Sequence, residues 1–100
     1  MIFFTQLVYI KEGQSAAFFE FEEVAIPLIA KYGGELLLRV RPTPDTVIDG
    51  VIETPFEIHL VSFKTEDDFK RFSQDEERRR FLHLKEQAIE TVILWKGTPV

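Results

Sequence analysis

Apolar residues follow two different spacings along this chain, and each change of spacing marks a new element. Four segments are rich in β-branched and aromatic residues and are predicted to be strands: Ile2 to Ile10, Glu35 to Arg41, Phe56 to Phe63 and Thr91 to Lys96. Two segments between them repeat apolar residues every three or four positions, which predicts helices. The predicted order is βαββαβ, in a single α+β domain over residues 1–100.

The first helical segment is predicted to run to Tyr32, with Ser15 as its N-cap. Its inward stripe is predicted to consist of Phe18, Phe21, Ala25, Leu28, Ile29 and Tyr32. Pro27 lies inside this pattern. Because proline lacks a backbone donor and crowds the preceding turn, we expect a kink or a restart of the helix there. Gly33 and Gly34 are typical of helix termination.

The second helical segment carries two capping signatures in succession. Thr65 to Asp68 is a weak form of the capping box, and Ser73 to Glu76 repeats the pattern. The sequence therefore predicts a short helix, a bend near Ser73 and a second helix ending at about Ala88. Residues 45–55 mix turn formers with valine and isoleucine, which leaves both a loop and a short hairpin open. Residues 97–100 are predicted to be a tail.

Period-two alternation assigns the strand residues to two faces of one four-stranded antiparallel sheet. We expect the helices to cover the more apolar face: Phe3, Leu7, Tyr9, Leu36, Leu38, Val40, Ile58, Leu60, Val92 and Leu94. The other predicted face is mixed: Phe4, Gln6, Val8, Leu37, Arg39, Arg41, Glu57, His59, Val61, Thr91, Ile93 and Trp95. Because the mixed face is too apolar for water and too charged for a solid core, we expect a second copy of the chain to cover it. The expected assembly is a homodimer built around a pocket.

Two short motifs resemble the dimeric α+β barrel superfamily, a group with the ferredoxin-like fold. Residues 27–34, PLIAKYGG, are similar to the end of its first helix, where a proline and a terminal Tyr-Gly-Gly precede a strand carrying an arginine, here Arg39. Residues 58–69 and then Phe72-Ser73 are similar to its third strand and second helix. The resemblance covers nearly the whole chain. It extends to short bacterial domains of unknown function and to proteins like the antibiotic-biosynthesis monooxygenases.

The chain departs from that group in two places. Asp49-Gly50 stands where such domains often have Glu-Gly, in a connection that is longer than usual. After Ser73, residues 74–76 read Gln-Asp-Glu instead of Pro-Glu-Tyr, so no role tied to that tyrosine carries over.

Charge and composition exclude several classes of function. The net charge is −5, and the basic run of residues 78–80 directly follows the acidic run of residues 75–77, as on a solvated helix face, so we expect no nucleic-acid partner. No apolar stretch approaches the roughly 20 residues that span a bilayer, and residues 1–10 lack a basic signal-peptide start. We expect a cytoplasmic protein without a membrane partner.

Cysteine and histidine usage narrows the chemistry further. The chain has no cysteine, which excludes a thiol nucleophile and Cys-ligated zinc. Its two histidines, His59 and His83, are not spaced as a ligand pair, so we expect no metal and no cofactor. Similar barrel proteins that degrade haem use a helix histidine together with a first-strand asparagine. This chain has no asparagine, which disfavours haem.

Three side chains form the candidate catalytic group. Glu57 and His59 lie on one face of a predicted strand, and Arg39 lies on the neighbouring element. The carboxylate would orient the imidazole as a general base, and Arg39 would hold a developing oxyanion. The alternative is an ion-pair cluster at the dimer interface with no chemistry. Gln6, Arg39, His59 and Trp95 are the candidate ligand-binding residues.

Two classes of function remain open. The first is a homodimer that binds a small aromatic or carboxylated organic molecule between its sheet and its helices. The resemblance implies that, if such a protein is an enzyme, it is a cofactor-free monooxygenase or isomerase with His59 as base. The second class is a non-catalytic dimerisation or interaction module.

Overall fold

The computed structural model describes residues 1–98, and the elements follow the predicted βαββαβ order. The strands are β1 Ile2–Ile10, β2 Glu35–Val40, β3 Glu57–Phe63 and β4 Ile89–Gly97. The helices are α1 Ser15–Lys31, α2 Glu66–Ser73, α3 Glu76–Arg80 and α4 Leu82–Ala88. All paired strands are antiparallel, in the order β2-β3-β1-β4. Gly97 belongs to β4, and residues 99 and 100 of the predicted tail lie outside the described residues.

The helices lie together on one face of the sheet, as predicted. They do not, however, cover the more apolar face that we expected them to cover. The Phe4 ring of β1 stacks on Phe69 of α2, with centroids 3.9 Å apart. The His59 ring of β3 stacks on Phe18 of α1, with centroids 6.4 Å apart. The expected face is therefore wrong for β1 and β3 and for most of β2, although Val92 and Leu94 of β4 do face the helices.

Two physical causes explain this reversal. The register shifts between Leu36 and Leu38, which pair with Val61 and Leu60 respectively, so strict alternation fails along β2. The prediction also assumed that charges avoid a helix-covered face. Glu57 lies there because arginine side chains neutralise it, and a paired charge can be buried.

Helix α1 differs from its prediction at both marked positions. It continues through Pro27 without a restart. Pro27 and Glu23 are both exposed, so the Glu23 carbonyl that loses its backbone donor can be solvated instead. Ser15 is the first helical residue rather than the cap, because the turn from Lys11 to Gln14 places Gln14 at the capping position.

The second helical region bends near Ser73, as predicted, and Thr65 caps α2 by accepting a hydrogen bond from the Asp68 backbone. Ser73 does not cap the next helix, because its hydroxyl donates to a backbone carbonyl of α2. Asp75 is the cap instead, and it accepts from two backbone N–H groups of α3. The predicted second helix is interrupted at Phe81, which separates α3 from α4.

The buried Asp75 carboxylate also joins α3 to the end of α1. It accepts hydrogen bonds from the Tyr32 hydroxyl and from Lys31 Nζ, the latter at 2.9 Å. The Tyr32 hydrogen bond first, and then Lys31, hold the pKa of Asp75 well below its usual range. The Tyr-Gly-Gly end of α1 is thus tied to the bend between α2 and α3.

Two buried apolar clusters form the core between helices and sheet. The larger contains Val8, Ala17, Phe18, Phe21, Ala25, Leu84 and Ala88. The smaller contains Ile2, Phe4, Ile29 and Phe63. They are separate clusters, so the layer between helices and sheet is not one continuous packed core.

No helix of the described residues covers the opposite face of the sheet, which we call the open face. By the strand register it carries Phe3, Thr5, Leu7, Tyr9, Leu38, Val40, Ile58, Leu60, Thr91, Ile93 and Trp95. Leu38 is 49% exposed and Trp95 is 53% exposed. The Cα atoms span 36 × 35 × 16 Å, as in a thin two-layer domain.

The long connection from β2 to β3 is a loop rather than a hairpin. Its only regular turn is a 3-10 helix at Pro44–Thr46, and Ile48 and Val51 at its tip are fully exposed. Within residues 1–98, no helix has the length and apolar character needed to cross a membrane.

Candidate functional site

A cavity of about 280 Å³ lies between the sheet and the helices, and residues of both core clusters line it. Its walls are mainly apolar and include Phe4, Phe21, Ile29 and Phe63. Its polar lining consists of Gln6, Glu22, His59, Ser73, Arg78 and Lys85. Leu94 lines the cavity and is half exposed, so the cavity opens toward β4, an edge strand of the sheet.

The predicted group of Glu57, His59 and Arg39 does come together. Arg39 Nε donates to Glu57 Oε1 at 2.7 Å, and His59 Nε2 lies 2.8 Å from the same oxygen. Arg41 donates to the other carboxylate oxygen. Strand pairing brings these groups together, because Arg39 is directly opposite His59 in the register of β2 and β3.

Electrostatics keep the Glu57 carboxylate ionised. Burial to 1% exposure raises its pKa, but hydrogen bonds from Arg39, His59 and Arg41 outweigh that effect and leave the pKa below its usual range. An ionised carboxylate only accepts hydrogen bonds, so His59 Nε2 must be the protonated ring nitrogen. Neutral His59 therefore has its free lone pair on Nδ1, the atom suited to accept a proton.

The structure distributes the candidate ligand residues over different surfaces. Gln6 and His59 are register partners and both line the cavity. Arg39 lines a shallow groove beside α1 instead, together with Glu22 and Arg41. Trp95 pairs with Thr5 on the open face, so it lies on the other side of the sheet from His59.

Glu22 is a cavity residue that the sequence interpretation missed. Its side chain is 7% exposed, and burial raises its pKa above the usual value in spite of the nearby positive charge of Arg39. No hydrogen bond or ion pair within residues 1–98 involves its carboxylate. The helical spacing could have indicated this inward position, because Glu22 follows Phe18 by four residues and precedes Ala25 by three.

Arg78 is the second missed residue. The sequence places it in a basic run on a solvated helix face, which is correct for the exposed Arg79 and Arg80 but wrong for Arg78. The Arg78 guanidinium lies over the rings of Phe21 and Phe72, at 5.6 and 5.3 Å from their centroids. Its Nε atom is buried without a hydrogen-bond partner among residues 1–98. Burial lowers the pKa of Arg78.

Lys85 of α4 is the third cavity residue that the sequence interpretation missed. Burial lowers the pKa of Lys85, and the neighbouring Arg78 charge lowers it further. No ion pair within residues 1–98 joins Lys85 or Arg78 to Glu22. Three ionisable groups therefore line one cavity without pairing with each other. In the same range, no three histidine or carboxylate side chains converge as metal ligands would.

Comparison with solved structures decides the fold. The RPA0582 protein of unknown function from Rhodopseudomonas palustris superposes with a TM-score of 0.85 at 15% identity, covering 99% of this chain and 82% of that one. A dabb family protein with a ferredoxin-like fold from Mesorhizobium loti superposes with a TM-score of 0.67 at 16% identity, covering 99% and 96%. This chain has the ferredoxin-like fold.

A nipsnap family protein of unknown function from Agrobacterium tumefaciens is also similar to this ferredoxin-like domain. The TM-score is 0.71 at 22% identity, and the match covers 99% of this chain and 87% of that one. No protein-family model matches the sequence, and no curated protein matches it. At these identities the likeness concerns the fold alone.

Proposed function

We propose that this ferredoxin-like domain binds a small organic molecule in the cavity between its sheet and its helices. The observation that carries the proposal is the cavity itself, which has apolar walls and a few converging polar side chains. That combination is the usual composition of a small-molecule site. The shallow groove beside α1 is a weaker candidate, because the arginines there are already engaged by Glu57.

His59 gives the site a possible reaction, namely proton abstraction from an activated organic molecule. The proton would go to Nδ1, and Glu57 would stabilise the resulting imidazolium through Nε2. Such a step suits an isomerase, or a cofactor-free monooxygenase that uses dioxygen as oxidant. Arg39 is not the oxyanion holder in this proposal, because two of its nitrogens already donate to Glu57.

A cavity-filling variant tests the ligand site. Ala25 lines the cavity, so Ala25→Leu reduces its volume, whereas Ala30→Leu adds the same atoms to the exposed side of the same helix. We expect compounds from a library of small aromatic acids, amides and ketones to raise the Tm of the parent and of Ala30→Leu. The Tm of Ala25→Leu should not respond, because a ligand stabilises only a fold that it can bind. Equal shifts in all three proteins would place the ligand elsewhere.

The open face supports a second proposal, that the domain is a homodimer. The face is mainly apolar, with Leu38 and Trp95 half exposed on its two edge strands. A second copy would meet it with the same apolar surface, through a two-fold axis and face-to-face sheet packing. If the cavity binds no ligand, the open face still supports the alternative function, that of a non-catalytic dimerisation module.

A further inference from the structure

The cavity holds more positive than negative charge. Arg78 and Lys85 contribute two cations, and Glu22 contributes one carboxylate. The Glu57 carboxylate does not offset the surplus, because Arg39 and Arg41 neutralise it. A cavity with unpaired cations favours an anionic occupant.

The unused donors point the same way. Arg78 Nε is buried and has no partner in the part of the chain that the structure describes. A buried donor without a partner is destabilising unless a ligand or water supplies an acceptor. Another Arg78 nitrogen, Nη1, donates to the Ser73 carbonyl at 3.2 Å, so the side chain is held in place. The flanking rings of Phe21 and Phe72 supply apolar surface beside that donor.

We infer that the ligand is a small aromatic or alicyclic carboxylate, whose anionic group is bound by Arg78 and Lys85. This inference rests on the proposed function of the cavity and names the chemical class of its occupant. Arg78 and Lys85 belong to α3 and α4 on the helix wall, whereas His59 belongs to β3 on the sheet wall. A carboxylate held at the helix wall leaves the other end of the molecule facing His59.

A matched pair of probes tests the charge requirement. 2-Naphthoate and 2-naphthamide have the same ring system, and only the first is an anion. Isothermal titration of the parent protein at pH 7.5 should give a Kd for 2-naphthoate about 10-fold or more below that for 2-naphthamide, since charge-assisted hydrogen bonds are the stronger ones.

Variants of the two cations identify the binding groups. Arg78→Met and Lys85→Met should each weaken 2-naphthoate by about 10-fold and leave 2-naphthamide within about 2-fold. Lys85→Met keeps the test valid if Arg78→Met fails to fold. No hydrogen bond within residues 1–98 uses the Lys85 ammonium, so its removal should not disturb the fold. Arg79→Met is the control, since Arg79 is exposed and lies next to Arg78 without lining the cavity.

Glu22→Gln should act in the opposite direction and strengthen 2-naphthoate binding, because it removes the one negative charge of the lining. Equal affinities for the two probes, or a loss of equal size in Arg79→Met, would overturn the carboxylate assignment and leave the ligand site standing. Failure of both probes to bind the parent at millimolar concentration would overturn the carboxylate assignment and the proposed site together.

Discussion

At the scale of single residues, Glu22 is a carboxylic acid buried beside the cavity. The residue is buried on α1, and no side-chain hydrogen bond or ion pair within residues 1–98 involves its carboxyl group. Burial raises its pKa, so the folded state binds its proton more tightly than the unfolded chain does. Stability is therefore retained below the unfolded pKa of about 4.3 and falls as the pH rises above it.

Glu22→Gln should remove that pH-dependent loss. We expect the variant to gain Tm relative to the parent at pH 7.5, and to gain less at pH 4, where the parent carboxyl is already largely protonated. Differential scanning fluorimetry at both values measures the gain. Glu23→Gln, an exposed neighbour, should show no such difference between the two values. A gain at pH 4 as large as that at pH 7.5 would contradict the assigned environment of Glu22.

The sequence predicted the positions of side chains correctly where strand alternation and pairing determine them. The meeting of Arg39, Glu57 and His59 follows from strand alternation and pairing, and the structure contains it. Glu22 and Arg78 were missed because a charged residue on a helix is normally assigned to solvent. Their inward positions depend on how the helices pack on the sheet, and a single helical pattern does not contain that information.

At the scale of elements, the turn from α1 to β2 packs closely against the core at Gly34. A Cβ at Gly34 would lie 2.5 Å from Phe63 Cε1 and 2.8 Å from Ile29 Cγ2. Both neighbours belong to the smaller buried cluster, so they have little room to move. The glycine is needed here for close approach of β2 to the core.

Gly34→Ala should therefore lower the free energy of unfolding by about 1–3 kcal/mol, the usual effect of overpacking a core. Gly97→Ala is the control, because its Cβ would meet nothing within 4 Å. We expect the control to change the free energy by less than about 0.5 kcal/mol. Urea unfolding of both variants measures the difference, and equal effects would contradict the packing at Gly34.

Element order and most element boundaries could be read from the sequence, but the faces of the sheet could not. The βαββαβ order rests on the change of hydrophobic spacing, which is a local signal. Strand β1 is apolar on both sides, so alternation does not distinguish its faces. The register shift after Leu36 then changes which face of the sheet the following residues of β2 occupy. No residue type at that point in the sequence indicates the shift.

At the scale of the whole molecule, the open face predicts association. We expect sedimentation to give the parent twice its chain mass of 11.7 kDa. Leu38→Glu and Trp95→Glu should each shift the protein toward the monomer, because they place charges in an apolar contact. Ile48→Glu, in the exposed loop, should leave the dimer intact. A monomeric parent at all concentrations would contradict the dimer.

We propose that the ligand site is the cavity between sheet and helices and not the open face. Methyl chemical shifts of the parent, measured with and without whichever naphthalene probe binds more tightly, test this directly. We expect shifts at Ile26, Ile29 and Leu94, which line the cavity, and none at Leu60 or Ile93 on the open face. Shifts confined to Leu60 and Ile93, or no shift at either set, would contradict it.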